Sequence, residues 1–253
     1  MKHMSHMAVT EDLSGTWCNA NAVTSSVMEA VSFVTPVLEK FFILTVKEGL
    51  SEDTPAALRE RCQGFIQEEA EHTRVHYKFN SSVLKYLGRV PPGLAMVEAL
   101  LNAARRRLSL SRRLLLAAAL EHFAAVLSKV YMNQGMRLDF ESPYAQEMFL
   151  QHAREEIDHR SVVFDLLLSK GAIGSFGRAL AVAGILLAGF IYVSIAVTWI
   201  LYRKNCRHLF QTLADLSCFA VKNRLAIKAY SPLSELFSFV RRGYHPDGLV
   251  KAN

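Results

Sequence analysis

Two Glu-x-x-His segments constrain this chain more than anything else in it. The first runs Glu68-Glu69-Ala70-Glu71-His72 and is followed by His76; the second runs Glu155-Glu156-Ile157-Asp158-His159 and is preceded by His152. Residues three or four apart share one face of a helix. Glu69 with His72, and Glu156 with His159, therefore each present a carboxylate and an imidazole on one side. Two such helices, joined by one Glu from each of two others, make the inward-facing site of a four-helix bundle that holds two metal ions. Glu39 and Glu121, each set in an otherwise apolar helical run, supply the other two carboxylates. The order along the chain is Glu, Glu-x-x-His, Glu, Glu-x-x-His.

The rest of the sequence agrees with an all-α chain. Of 253 residues, 51% are hydrophobic, ample for a core, and long stretches rich in Ala, Leu, Glu and Arg outnumber alternating runs. Long helices are expected over about 25–48, 54–86, 111–133 and 142–171, each with a proposed ligand near its middle. Asp53-Thr54-Pro55 and Ser142-Pro143 are start signals, with proline in the first turn. Pro36 either bends the first helix or marks its start. Pro91-Pro92-Gly93 breaks the chain before a short helix or helical arm. This gives a flexible N-terminus over 1–24, a metal-binding bundle over 25–172 and a C-terminal helical extension over 173–253.

Cys18, Cys62, Cys206 and Cys218 form no Cys-x-x-Cys pair and read as reduced thiols of a cytosolic protein. The N-terminus lacks the apolar run of a signal peptide, and His3 and His6 lie too far into it to be expected as ligands. The net charge is +6, with clusters at Arg105, Arg106, Arg107, Arg112 and Arg113 and at Arg203, Lys204 and Arg207. No aromatic-interleaved motif accompanies them, so no nucleic-acid partner is expected. From Ala179 to Tyr202 there is no charged residue. A helix of ~24 residues spans ~36 Å, enough for a bilayer. Length and absence of charge favour membrane contact; a helix buried on the bundle or in a homodimer interface is the other use for such a run. The expected location is cytoplasmic, with attachment to the inner membrane through residues 179–202.

Four carboxylates crowded into a bundle core would repel one another and take up protons. Two divalent cations balance four Glu charges. An oxygen-rich donor set suits iron or manganese better than zinc. Histidines that bind metal usually give their second N–H to a carboxylate. Glu68 and Glu155, each just before a ligand Glu, can reach across to the opposite helix for that task, with Asp158 and Glu71 as weaker candidates. His76, one turn beyond His72, reads as a ligand, a proton carrier or a hydrogen-bonded core histidine. His152 shares the face of Glu156. His122 points away from its neighbour Glu121, since adjacent helical positions diverge by about 100°.

Three segments resemble a bacterial family of predicted metal-dependent hydrolases within the ferritin-like superfamily. They are Pro36-x-x-Glu39-x-Phe41-Phe42, then Phe65-Ile66-Gln67-Glu68-Glu69-x-x-His72-x-x-x-His76-x-x-x-Asn80, and His152-Ala153-x-Glu155-Glu156-Ile157-Asp158-His159 continuing to Phe164-Asp165. The resemblance spans roughly residues 30–205, with Leu38 where the family has glycine, and implies a ferritin-like four-helix bundle. The ligand order is also similar to that of the p-aminobenzoate N-oxygenase group of di-iron enzymes. That similarity implies a further ligand at His152 and a set of seven: Glu39, Glu69, His72, Glu121, His152, Glu156 and His159.

The reading drawn from the sequence is a di-iron oxidoreductase or oxygenase. It would use O₂ and an electron donor to oxidise a hydrophobic or lipid-like substrate, with the metals carrying the chemistry and the protein supplying geometry and a dry cavity. The alternatives are a metal-dependent hydrolase that activates water on two ions and a non-catalytic iron-binding or ferroxidase-type protein.

Overall fold

The computed structural model describes residues 13, 15–19, 21–132, 138–171, 174–204, 214, 217, 221 and 232–248. His3, His6, Cys206, Arg207 and Cys218 lie outside the described residues. Seven helices are present among those described: α1 Ala22–Gly49, α2 Ala56–Leu87, α3 Leu94–Arg107, α4 Leu110–Met132, α5 Pro143–Ser169, α6 Ser175–Arg203 and α7 Pro232–Ser238. The starts follow local chemistry. The Asn21 side chain accepts from Thr24 N at 2.8 Å to cap α1, and Ser142 accepts from Ala145 N at 3.1 Å to cap α5. Gly88, at φ 77°, ends α2 in the left-handed region that glycine adopts without strain. Pro36 does not start α1, because the helix runs through it from Ala22.

Helices α1, α2, α4 and α5 form a ferritin-like four-helix bundle, with α1 against α2 and α4 against α5. Two apolar layers fill it. One contains Phe41, Phe42, Phe65, Leu114 and Phe164; the other contains Trp17, Phe33, Val75, Phe79 and Phe149. Chain order through these layers shows that α1 and α5 run one way and α2 and α4 the other. Between the layers, at mid-height, lie Glu39, Glu69, Glu121 and Glu156. Helix α3 carries the chain from α2 to α4 and packs on α1 and α6.

Helix α6 is laid along the bundle. Its inner edge is Arg178, Val182, Ile185, Tyr192, Ala196 and Ile200. Tyr192 Oη donates to Ala30 O at 2.8 Å, and Arg203 Nε donates to Leu87 O at 3.1 Å. Its outer edge, including Phe176, Leu180, Leu187, Phe190, Ile195 and Tyr202, is exposed. Two helices, α4 and α6, are long and apolar enough to cross a membrane. Among the described residues, most of α4 is core, whereas α6 is largely uncovered.

The described part of the 1–24 stretch is packed rather than loose. Trp17 is 2% exposed and donates through Nε1 to buried Glu29 at 2.7 Å. Lys204 at the end of α6 meets the same carboxylate at 2.8 Å. The packing of Trp17, stacked on Phe149 and edge-on to Phe79, is what the charge and composition of this segment did not reveal. Trp17→Ala should therefore cost about 3–5 kcal/mol. At roughly 2–4 °C per kcal/mol for a chain this size, thermal denaturation should show a fall on the order of 10 °C. A melting temperature equal to wild type would show that the segment does not pack.

Candidate metal centre

The four bundle helices bring Glu39 (α1), Glu69 and His72 (α2), Glu121 (α4), and Glu156 and His159 (α5) into one cluster in which no residue is more than 3% exposed. Donor atoms of Glu69, His72, Glu156 and His159 all lie within 4.8 Å of one another; so do those of Glu39, His76 and His152. Donors on opposite sides of an ion bound at 2.0–2.2 Å are about 4.4 Å apart, so each group has the spread of one ion's ligands. His152 joins the two, with Nε2 3.3 Å from Glu156 Oε1 and Nδ1 3.9 Å from Glu39 Oε1.

Carboxylates from the opposite helix orient the inner histidines. His72 Nε2 donates to Glu155 Oε2 at 2.6 Å, and His159 Nε2 donates to Glu68 Oε2 at 2.8 Å. Each ring thereby turns Nδ1 inward. His72 Nδ1 sits 3.6 Å from Glu69 Oε2 and 3.7 Å from Glu39 Oε1, and His159 Nδ1 sits 2.6 Å from Glu69 Oε1. Thr73 donates to Glu39 Oε2 at 2.7 Å and fixes the α1 carboxylate.

Other candidates fall elsewhere. Asp158 is exposed on the outside of α5 and orients no histidine, because its helical position faces away from α2. Glu71 pairs with Arg74 instead. His76 lies beside Glu39 and His152, with its Nδ1 2.8 Å from Ser32 Oγ. His122 faces outward, where its Nε2 donates to Glu235 O at 3.0 Å and its Nδ1 accepts from Tyr244 Oη at 2.8 Å, docking the C-terminal segment on α4. Sequence reasoning gave no role to Thr73, Ser32 or Asn80. The one available signal was Asn80, a turn beyond His76 on the same face.

The electrostatics describe a cage short of cations. Burial, reinforced by the charge of Glu69, pushes Glu39 well above the usual carboxylate range and Glu156 up to about 7. Burial, with Glu156 and Glu69, does the same to Glu121. Burial also opposes the charge of Glu69, but His72 and His159 outweigh it and hold that carboxyl at about 2. The two histidines are raised well above their ordinary value: burial works against their charge, and the surrounding carboxylates overcome it. Many inward atoms have no hydrogen-bond partner: Glu39 Oε1, both oxygens of Glu121, Glu156 Oε2, and Nδ1 of His72 and His152. Buried polar atoms without partners are rare in folded proteins. Here they converge, and hard oxygen and imidazole donors are the chemistry that divalent ions take up. The residues present fit a two-ion centre.

Residues 2–249 match the family described as predicted metal-dependent hydrolase. The chain belongs to that family. No solved structure and no curated protein matches it.

Two outcomes follow for this metal-dependent hydrolase family member. Glu69→Ala or Glu156→Ala should abolish metal loading, whereas Glu68→Ala or Glu155→Ala should weaken it by roughly 10–100-fold. Metal titration of the four variants checks this, and equal losses at all four positions would contradict the division between inner and outer carboxylates. The second outcome concerns pH. Ions must displace protons from Glu39, Glu121 and Glu156, whose pKa values are raised, and from His72 and His159, which the same cage keeps protonated. Affinity should therefore fall as pH drops through about 7, and loading should release protons. Calorimetric titration in buffers of different ionisation enthalpy reads that release; affinity flat from about pH 6 to 8 would be inconsistent with it.

Proposed function

We propose that this chain is a two-metal hydrolase acting on a hydrophobic or lipid-like ester or phosphoester, with Glu39, Glu69, His72, Glu121, His152, Glu156 and His159 holding the ions. The observation that carries this reading is the convergence of partnerless buried donors at mid-bundle, in a member of a family described as predicted metal-dependent hydrolase. When bound, two divalent ions supply Lewis-acid activation of water and of a carbonyl or phosphoryl oxygen.

The protein's own residues supply the rest. Glu155 and Glu68 hold the Nε2 protons of His72 and His159, so that Nδ1 is the nitrogen that gives up its proton to bind an ion. Thr73 aims Glu39. The aromatic layers above and below exclude bulk water. His152 is the least buried member of the seven. A cavity of about 230 Å³ between α1, α2 and α3 is lined by Phe33, Pro36, Val37, Phe41, Leu84 and Leu101, with Lys40, Arg105 and Glu98 among its polar wall residues. An apolar chain matches that lining. The outer edge of α6, uncovered among the described residues, supports delivery of such a substrate from a lipid surface, with the helix lying against the membrane rather than passing through it.

A second reading, O₂ activation by iron with an external electron donor, is favoured by one observation. The donor set is rich in carboxylates, as iron and manganese prefer, and His152 stands beside Glu156 where the N-oxygenase comparison asks for a ligand. One experiment separates the two. Chelator-stripped protein is reloaded with Zn²⁺, Mn²⁺ or Fe²⁺ and given acyl esters and phosphodiesters of increasing chain length under nitrogen. Turnover without O₂, rising with chain length and lost in Glu156→Ala, is expected. No anaerobic turnover with any metal, together with O₂ uptake by the iron form, would refute the hydrolase and leave the oxygenase standing.

A further inference from the structure

A chain of hydrogen bonds behind His76 fixes which of its nitrogens carries the proton. It begins at Pro36. Proline has no N–H, so the carbonyl four residues earlier, that of Ser32, loses its helical donor. Asn80 Nδ2 of α2 donates to that carbonyl at 2.9 Å. This contact orients the amide and turns Asn80 Oδ1 towards the Ser32 hydroxyl, which donates to it at 2.8 Å. A serine hydroxyl has a single proton, and that proton is now committed. At the 2.8 Å contact between Ser32 Oγ and His76 Nδ1, the hydroxyl oxygen therefore accepts and Nδ1–H donates.

Nε2 of His76 is left with a bare lone pair. The side chain is 1% exposed, and Nε2 has no hydrogen-bond partner. Its donor atom lies within 4.8 Å of those of Glu39 and His152, and its ring stands edge-on to His152 with centroids 5.0 Å apart. An imidazole that binds metal through one nitrogen while the other gives its N–H to a fixed acceptor is the arrangement metal-ligating histidines adopt. We infer that His76 is a metal ligand through Nε2, completing a second ion position with Glu39 and His152, and that Pro36, Ser32 and Asn80 are positioning residues for it. The first position keeps Glu69, His72, Glu156 and His159, with Glu121 facing the same four residues. Two imidazoles and one carboxylate leave open places on the second ion, which makes it the one exposed to a substrate or water. The assignment rests on the two-metal reading above.

The test uses the full chain, stripped with chelator and titrated with Co²⁺ alone, following the visible bands and the stoichiometry. Wild type should bind two equivalents. In His76→Ala the second equivalent should weaken by at least roughly 100-fold or vanish, with the first unchanged. Ser32→Ala keeps the ring but removes the acceptor of its N–H, and should weaken only the second equivalent, by roughly 10–100-fold; it preserves the test if the alanine variant at His76 does not fold. Two equivalents bound by either variant with wild-type affinity and spectrum would overturn the assignment while leaving the two-metal function intact. A wild-type chain that binds one equivalent would remove the two-metal reading and this assignment together.

Discussion

Four carboxylates that face one another at mid-bundle impose the rest of this structure. Glu39, Glu69, Glu121 and Glu156 come from four different helices and are all but inaccessible. Even after relaxation, removing each such charge from water costs several kcal/mol. Two protonated histidines relieve part of the repulsion, and three of the carboxyls meet the remainder by rising towards the protonated form. Divalent ions relieve it better. The aromatic layers on either side, the short bonds from His72 to Glu155 and from His159 to Glu68, and the Thr73 hydroxyl all serve to hold this costly arrangement in one geometry.

Much of that centre was readable from the sequence, because helical periodicity predicts which residues share a face. The two Glu-x-x-His pairs follow from spacing alone. Glu39 and Glu121 follow from an acidic residue where a solvated one has no place. Glu68 and Glu155 are legible as outer partners because each precedes an inner Glu on a helix whose partner must run alongside. Periodicity does not give the register between helices. That is why Asp158 stayed a candidate, weaker than Glu155, and why Ser32 and Thr73 carried no signal and Asn80 only its place on the face of His76: each matters only through a residue on another helix. Pro36 read as a start or a bend, whereas its effect is to free a carbonyl for Asn80.

The outer parts of the chain were less legible for a related reason. Trp17, Glu29 and Lys204 meet from three distant points of the sequence, and no local pattern marks that junction. The apolar run of α6 announced itself, but its use depends on what it packs against. Contacts along its whole inner edge tie it to α1, α4 and α3, leaving one uncharged face outward. His122 shows how sharply adjacent positions divide: Glu121 points to the centre while its neighbour anchors Glu235 and Tyr244 on the opposite side of α4.

The central claim is that two ions share this cage, and locating them is the most direct test. Crystals of protein loaded with iron or manganese, measured at the metal's absorption edge, should show two anomalous peaks enclosed by α1, α2, α4 and α5. One should lie among Glu69, His72, Glu156 and His159 and the other beside Glu39 and His152. A single peak, or peaks outside the four carboxylates, would contradict the account.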